Sequence, residues 1–372
     1  MNNFSSALLL TAVGDVMVAR HDETLLDLVS AQLQSSDIVF GNCEWPYSEE
    51  PGDTHPVEAH LNDGVDDIDL FVPGKPESIS MLAKAGFDVM SFANNHCLHS
   101  GYRVFQRTLT LLREAAIAPV GAGNNIAEAL QPVIIERVGT RIAFIACASA
   151  LLPGTEAGRR TPGIAPLRRH SYFENPAWEM LGIDPKIKTL VNRDDLAALC
   201  ESIRAARKIA DVVIISCHWG ILEHRSAIGD YQREAAHAFI DCGADLILGH
   251  GPLVTKGIEV YRGKTIFYSL GKFLMKGPVE TGQIPVGMSV PFGDESRKGI
   301  AALVEIEHKQ IVRTGFTPCY ADEQSRPRLL EADDAMFGEI AEDIRRISSE
   351  AGLGALRLEN SGDRVVVSST SE

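Results

Sequence analysis

Short apolar runs recur along the chain, and each ends in a polar or glycine-bearing turn: "ALLLTAVGD", "DIVFGNCE", "DVMSFANNH", "RIAFIACAS", "DVVIISCHWG", "DLILGHGP" and "TIFYSLGKF". Runs this short and this rich in Val, Ile and Phe suit strands buried on both faces better than helices. Between several of them lie amphipathic stretches, "HDETLLDLVSAQLQSS", "GKPESISMLAKAGF", "VFQRTLTLLREAAI", "DDLAALCESIRAARKIA" and "QREAAHAFIDCGA". Their i, i+3, i+4 apolar spacing predicts helices. Strands alternating with helices imply an α/β architecture with the helices outside the sheet. In "AKAGFDV" and "IDCGADL" a glycine stands between helix and strand, where a left-handed C-terminal cap belongs.

At 372 residues and 45% apolar composition, the chain buries a sizeable core, as one large domain or two smaller ones. The repeating pattern predicts a single domain over residues 1–330, with a C-terminal helix and strand (331–372) packed on it. A Gly-, Pro- and Arg-rich segment at about 152–192 breaks the rhythm and reads as a functional loop insertion. A formal net charge of −15 excludes broad binding to nucleic acid or anionic lipid, which need a basic face. The cysteines are seven, scattered and without CxxC spacing, which fits reduced thiols in the cytoplasm. No apolar segment reaches the roughly 20 residues of a membrane helix, and the apolar N-terminal run lacks a basic leader. The expectation is a cytoplasmic protein without a membrane anchor; its oligomeric state is open.

The chemistry-bearing residues fall at the carboxyl ends of the apolar runs: Asp15, Asn42 with Glu44, Asn94 with Asn95 and His96, His218, and His250. In open α/β sheets that edge is where ligand sites collect. Imidazole, carboxylate and amide oxygen together suit a divalent ion of borderline hardness such as Mn²⁺, Zn²⁺ or Fe²⁺. Each residue also has a structural reading: Asp15 as a helix cap, "NCEWP" as a plain turn with Trp45 in the core, His218 as a satisfied buried histidine. Two amides and an imidazole in "NNH" are poorly suited to a core, and His250 between glycines has little bulk to pack against. The other histidines (His21, His55, His60, His224, His237, His308) are assigned to surface or local packing.

"GDVMVAR", "DIVFGNCEWP", "LAKAGFDVMSFANNHCLHSG", "DVVIISCHWG", "YQREAAHAFIDCGADLILGHGP" and "GIEVYRGKTIFYSLGKF" resemble, in order and spacing, the CapA family of capsule and poly-γ-glutamate biosynthesis proteins, in the calcineurin-like metallophosphatase superfamily. The resemblance implies a four-layered α/β/β/α sandwich of the metallo-dependent phosphatase type. It also implies metal ligation by Asp15, Glu44, Asn95, His218 and His250, with His96 as general acid or base beside catalytic Asp15 and His218, and with Asn42 and Asn94 in support. Three positions depart from the family pattern: His99 replaces an Asp, Leu253 a His and Lys272 an Asn; Met17 cannot bind a hard ion either. One divalent ion is therefore expected, with a metal-free site the alternative. Asn42, Asn94, Lys272, His99 and the basic-loop residues Arg168 and Arg169 are expected to contact substrate, the arginines because Arg binds carboxylate or phosphate through two parallel hydrogen bonds. The expected function is hydrolysis, or acid/base epimerisation at a peptide α-carbon, on an anionic peptide or polyglutamate-like substrate. The competing expectation is a non-catalytic binding partner in polymer or peptide assembly.

Overall fold

The computed structural model describes residues 7–52, 72–174, 186–222, 224–277, 293–354 and 356–369. His55, His60, the centre of the long connector (175–185) and residues 370–372 lie outside them.

The main elements, in chain order, are β1 (Leu8–Val18), β2 (Ile38–Cys43), α1 (Pro76–Ala85), β3 (Val89–Ser91), α2 (Gly101–Glu114) and β4 (Thr140–Ala148). They continue as α3 (Arg193–Arg207), β5 (Val212–His218), α4 (Asp230–Asp241), β6 (Leu246–His250), β7 (Lys264–Phe267), β8 (Lys272–Lys276), β9 (Lys298–Glu307), β10 (Gln310–Ala321) and α5 (Ala335–Glu350). Two large sheets result. A 10-stranded sheet runs Leu356–Asn360, Val365–Ser369, β10, β9, β1, β2, β3, Ala118–Val120, with β8 also beside β1 and Pro327–Leu329 also beside β10. A 6-stranded sheet runs Ile258–Tyr261, β7, β6, β5, β4, Val133–Arg137. Strands β1, β2 and β3 are mutually parallel, as are β4, β5, β6 and β7, so the carboxyl ends within each set share an edge.

Strand periodicity shows how the layers stack, because alternate side chains leave opposite faces. From β4, Ile142, Phe144, Ala146 and Ala148 join the core that holds Phe40, Ile214 and Leu248. The intervening Ala143, Ile145 and Cys147 join a second core with Leu199 and Ile203 of α3 and Phe239 of α4. Phe40 of one sheet stacks on Phe144 of the other, centroids 5.5 Å apart, so the two sheets pack face to face. The buried faces of α1 (Ile79, Leu82) and α2 (Phe105, Leu109, Leu112) belong to the core of the larger sheet. The architecture is the expected four-layered α/β/β/α sandwich. The C-terminal helix α5 places Ile340, Ile344 and Ile347 in the same core, and Val365–Ser369 pairs with β10.

Both expected glycine caps are left-handed, Gly86 at φ 103° and Gly243 at φ 116°. Two readings change. The first expected helix shrinks to Ser30–Gln34, because the Asp22 carboxylate accepts from the Thr24 amide and hydroxyl and holds the preceding chain in a turn. "TIFYSLGKF" is two strands: β7 lies in the smaller sheet and β8 in the larger, and the chain changes sheets at Leu270 and Gly271. Within the 152–192 segment, Gly163–Ile164 pairs with Ala122–Gly123, and Arg169–Glu174 pairs with Lys186–Val191 as an exposed two-stranded ribbon. Among the described residues, no helix is long and apolar enough to cross a membrane.

Candidate metal and acid-base site

Parallel pairing brings the strand-end residues together two by two. Asp15 of β1 is in register with Asn42 of β2, and His218 of β5 with His250 of β6. The Asn42 amide then links the sheets, with Nδ2 2.9 Å from Asp15 Oδ1 and 3.2 Å from His218 Nδ1. Asn94 anchors that amide in turn, donating to Asn42 Oδ1 (3.3 Å) and to the Cys43 carbonyl (2.8 Å) while its own Oδ1 accepts from the His96 amide at 3.1 Å. Asn42 and Asn94 are fully buried and so are positioning groups rather than a substrate surface.

Among the described residues, Asp15, Glu44 and His218 form a group of candidate metal ligands whose donor atoms all lie within 4.8 Å of one another. Asn95 adds an amide oxygen at the same point, its Oδ1 2.8 Å from His218 Nε2. Glu44 Oε1 lies 3.6 Å from His218 Nε2 and 3.9 Å from His96 Nε2, while its Oε2 is buried without any hydrogen-bond partner. A buried carboxylate oxygen left bare is costly unless a cation or donor meets it. Burial first, and the neighbouring Asp15 second, hold the Glu44 carboxyl well above the usual carboxylate range, with Lys272 opposing them. Two carboxylates, an imidazole and an amide oxygen converging on one point fit a single divalent ion of the Mn²⁺, Fe²⁺ or Zn²⁺ kind.

His250 stands beside this group rather than within it. Its Nε2 is 3.2 Å from the Val13 carbonyl and its Nδ1 3.2 Å from Ser216 Oγ, so both ring nitrogens are taken by protein partners. A carbonyl only accepts, which places the proton on Nε2. The adjoining loop still serves Asp15, because the Gly251 amide donates to Asp15 Oδ2 at 3.2 Å. Gly251 sits at φ 108°, and a Cβ there would stand 2.9 Å from the Trp219 carbonyl oxygen and 3.1 Å from His218 Nε2. Leu253 is also left-handed, at φ 62°, a strained conformation for a branched side chain.

On the open side, the His96 Nδ1 is 3.1 Å from His99 Nδ1, and both rings pack on Trp45 at 5.6 and 5.9 Å. Burial, then His99 and His218, lower the His96 pKa well below its ordinary value, and burial lowers that of His218 to about 4. Both imidazoles are neutral at pH 7. Lys272 is in register beside Asp15 and gives its hydrogen bond to Ser296 Oγ at 3.1 Å. Arg168 is committed elsewhere: its guanidinium and its backbone amide all bind Asp195, at 2.6 to 2.8 Å. Arg169 is exposed and lies over the Tyr231 ring at 5.7 Å. Tyr231 in turn hydrogen-bonds Ser149 Oγ (2.8 Å) and the Gly220 amide (2.9 Å), just past the end of β5. Sequence reasoning missed Ser216, Ser296 and the Gly251 amide, which carry no motif of their own and act only through the fold.

The sequence model described as "Bacterial capsule synthesis protein PGA_cap" matches residues 9–277. The PGA biosynthesis protein CapA of Bacillus subtilis (strain 168) is 30% identical over 272 residues, 70% of this chain and 62% of that protein. The capsule biosynthesis protein CapA of Bacillus anthracis is 31% identical over 278 residues, 72% of this chain and 59% of that protein. The chain thus spans about three fifths of the length of these curated relatives. A solved calcineurin-like phosphoesterase, YfkN from Bacillus subtilis, aligns over 93% of this chain and 97% of its own, at 13% identity and a TM-score of 0.39. The 9–277 match takes in β1 through β8, and with them Asp15, Asn42, Glu44, Asn94, Asn95, His96, His218, His250 and Lys272; the chain belongs to the bacterial capsule synthesis protein PGA_cap family.

Proposed function

We propose that this site hydrolyses a bond in an anionic peptide or polyglutamate-like substrate with the help of one divalent ion. The observation that carries the reading is the bare Glu44 carboxylate, buried between Asp15 and two neutral imidazoles. Asp15, Glu44 and His218, with the Asn95 amide oxygen, would hold the ion, which when bound supplies Lewis acidity toward a substrate carbonyl or phosphoryl oxygen. Asn42 and the Gly251 amide fix the Asp15 carboxylate in place. With His99 Nδ1 accepting from His96 Nδ1, the His96 ring keeps its proton there and offers its Nε2 lone pair on the side of Glu44. That nitrogen takes the proton from an attacking water and returns it to the leaving group. Trp45 walls the histidine pair and limits water around it. Arg169 provides an exposed cation for the anionic groups of the substrate. The −15 net charge confines anion attraction to such local sites, and the seven free thiols support a reducing, cytoplasmic setting.

A second reading, epimerisation at a peptide α-carbon, draws on the two imidazoles that both approach Glu44 Oε1, since one can remove a proton while the other returns one. Incubating the protein with oligoglutamates in D₂O, with and without Mn²⁺, separates the readings by mass spectrometry. Cleaved fragments that disappear with Asp15→Asn and His96→Gln support hydrolysis. Deuterium uptake at Cα without cleavage transfers the assignment to epimerisation. Tight binding with neither product refutes catalysis on this substrate class and leaves the role of a binding partner in polymer assembly.

A further inference from the structure

Lys272 is a cation that interacts with both carboxylates of the cluster. It opens β8 directly beside Asp15, is half-buried, and interacts electrostatically with Glu44 and then Asp15. Its ammonium is nonetheless held away from them. The Nζ hydrogen bond goes to Ser296 Oγ at 3.1 Å, and that hydroxyl spends its own proton on the Gly293 carbonyl at 2.8 Å, so Ser296 can only accept from the lysine. Ser296 is 5% exposed, on a short helical turn (Gly293–Arg297) clamped through Glu295 by Arg225 and Lys298, each at 2.7 Å. The turn lies beyond the 9–277 family match. It fixes one positive charge close to Asp15 and Glu44 without consuming their oxygens.

Charge counting gives the consequence. Around a bound ion, with both carboxyl groups ionised, they bring two negative charges, and the Lys272 ammonium brings one positive. One divalent ion then leaves the group at net +1, and a second would leave it at +3 in a buried setting where like charges repel strongly. We propose that Lys272, parked by Ser296, fixes the divalent-ion capacity of this site at one and weakens the affinity for that ion. The inference rests on the single-ion reading given above and assigns a residue that sets its stoichiometry.

Mn²⁺ binding to the full chain tests it, with free Mn²⁺ read by electron paramagnetic resonance and with a thermal-shift titration in parallel. Wild type binds at most one Mn²⁺. Lys272→Met binds Mn²⁺ at least tenfold more tightly or takes up a second equivalent, while Lys272→Arg keeps the wild-type stoichiometry. Ser296→Ala releases the ammonium toward the carboxylates and weakens Mn²⁺ binding. Lys272→Gln is the alternative should the methionine variant not fold. Unchanged affinity and stoichiometry in the neutral variants, with wild type still binding one ion, overturn the role of Lys272 and leave the single-ion site standing. Two ions bound by wild type overturn it as well. No binding by wild type or by the neutral variants refutes the ion site and the inference together.

Discussion

Glu44→Gln isolates the cost of leaving a buried carboxylate bare. Glu44 Oε2 has no partner and the nearest imidazole nitrogens stand 3.6 and 3.9 Å from Oε1, too far to hydrogen-bond. An unmet buried polar atom costs about 1–3 kcal/mol, more when charged. The isosteric amide removes the charge and the repulsion from Asp15, so ion-free Glu44→Gln is expected to be more stable than wild type by about 1–3 kcal/mol. At about 2 °C per kcal/mol for a large chain, this raises Tm by roughly 2–6 °C. The pH dependence has a definite sign. Burial raises the folded-state pKa of Glu44 above its value in the unfolded chain, so the folded protein loses stability as pH climbs from about 4.5 through that raised value. The advantage of the glutamine therefore grows with pH over the same range. Divalent ion offsets that advantage: at 100 times its dissociation constant a ligand adds about 2.7 kcal/mol, to wild type only. Differential scanning fluorimetry of both proteins, in chelator and in excess Mn²⁺ at pH 5 and 7.5, reads all three effects. A glutamine variant less stable than wild type in chelator, or equal stabilisation of both by Mn²⁺, refutes the reasoning.

The two neighbouring arginines are expected to separate cleanly. Arg168→Ala leaves buried Asp195 without its bidentate partner and lowers stability by about 1–2 kcal/mol, read by urea denaturation. Arg169→Ala stays within about 0.5 kcal/mol of wild type and instead weakens binding of an anionic oligopeptide, read by calorimetry. Lys256 is 1% exposed, its ammonium pushed down to about 8 by burial and then by Arg225, and bonded to the His224 and Ala227 carbonyls. The folded state binds fewer protons there than the unfolded chain, so wild type gains about 3 kcal/mol on Lys256→Met between pH 8 and 10.5. A flat difference between the two denaturation curves across that window removes the charge from the argument. Gly14→Ala puts a Cβ 1.9 Å from the Gly271 carbonyl oxygen, in backbone that cannot yield without separating β1 from β8. It is expected to cost more than about 4 kcal/mol and to abolish Mn²⁺ binding; a folded, ion-binding alanine variant contradicts that packing.

The strand-end residues were legible because an apolar run buried on both faces must stop somewhere, and the polar residue at the stop is forced to the common edge. Asp15, Asn42, Glu44, Asn95, His96 and His218 meet for that reason. The engagement of His250 was not legible, since its partners are a backbone carbonyl on β1 and a serine two residues up β5 from the end of that strand. The long β9–β10 hairpin went unnoticed for a local reason. Its two-residue turn has His308 at φ 48° and Lys309 at φ 67°, the twisted turn that Asn-Gly normally announces, built here from residues that announce nothing. Ser296 has no sequence signal because its role exists only once residue 272 stands beside it. The basic loop misled in half: composition identified two adjacent arginines, and only the fold shows that one of them belongs to Asp195.

Strand β1 precedes β8 and β9 in the chain by far and waits for both of them to be completed. Its carboxyl half pairs with β8 and its amino half with β9, partners some 250 or more positions later in the chain. A nascent chain can pair β1 with β2 on one side only, and the Asp15 amide lacks its acceptor, the Gly271 carbonyl, until residue 271 has emerged. Such non-local closure is slow and leaves an unpaired strand edge during synthesis. The strand that carries Asp15 therefore gains its neighbours beyond β2 only after the β8–β9 segment has been made.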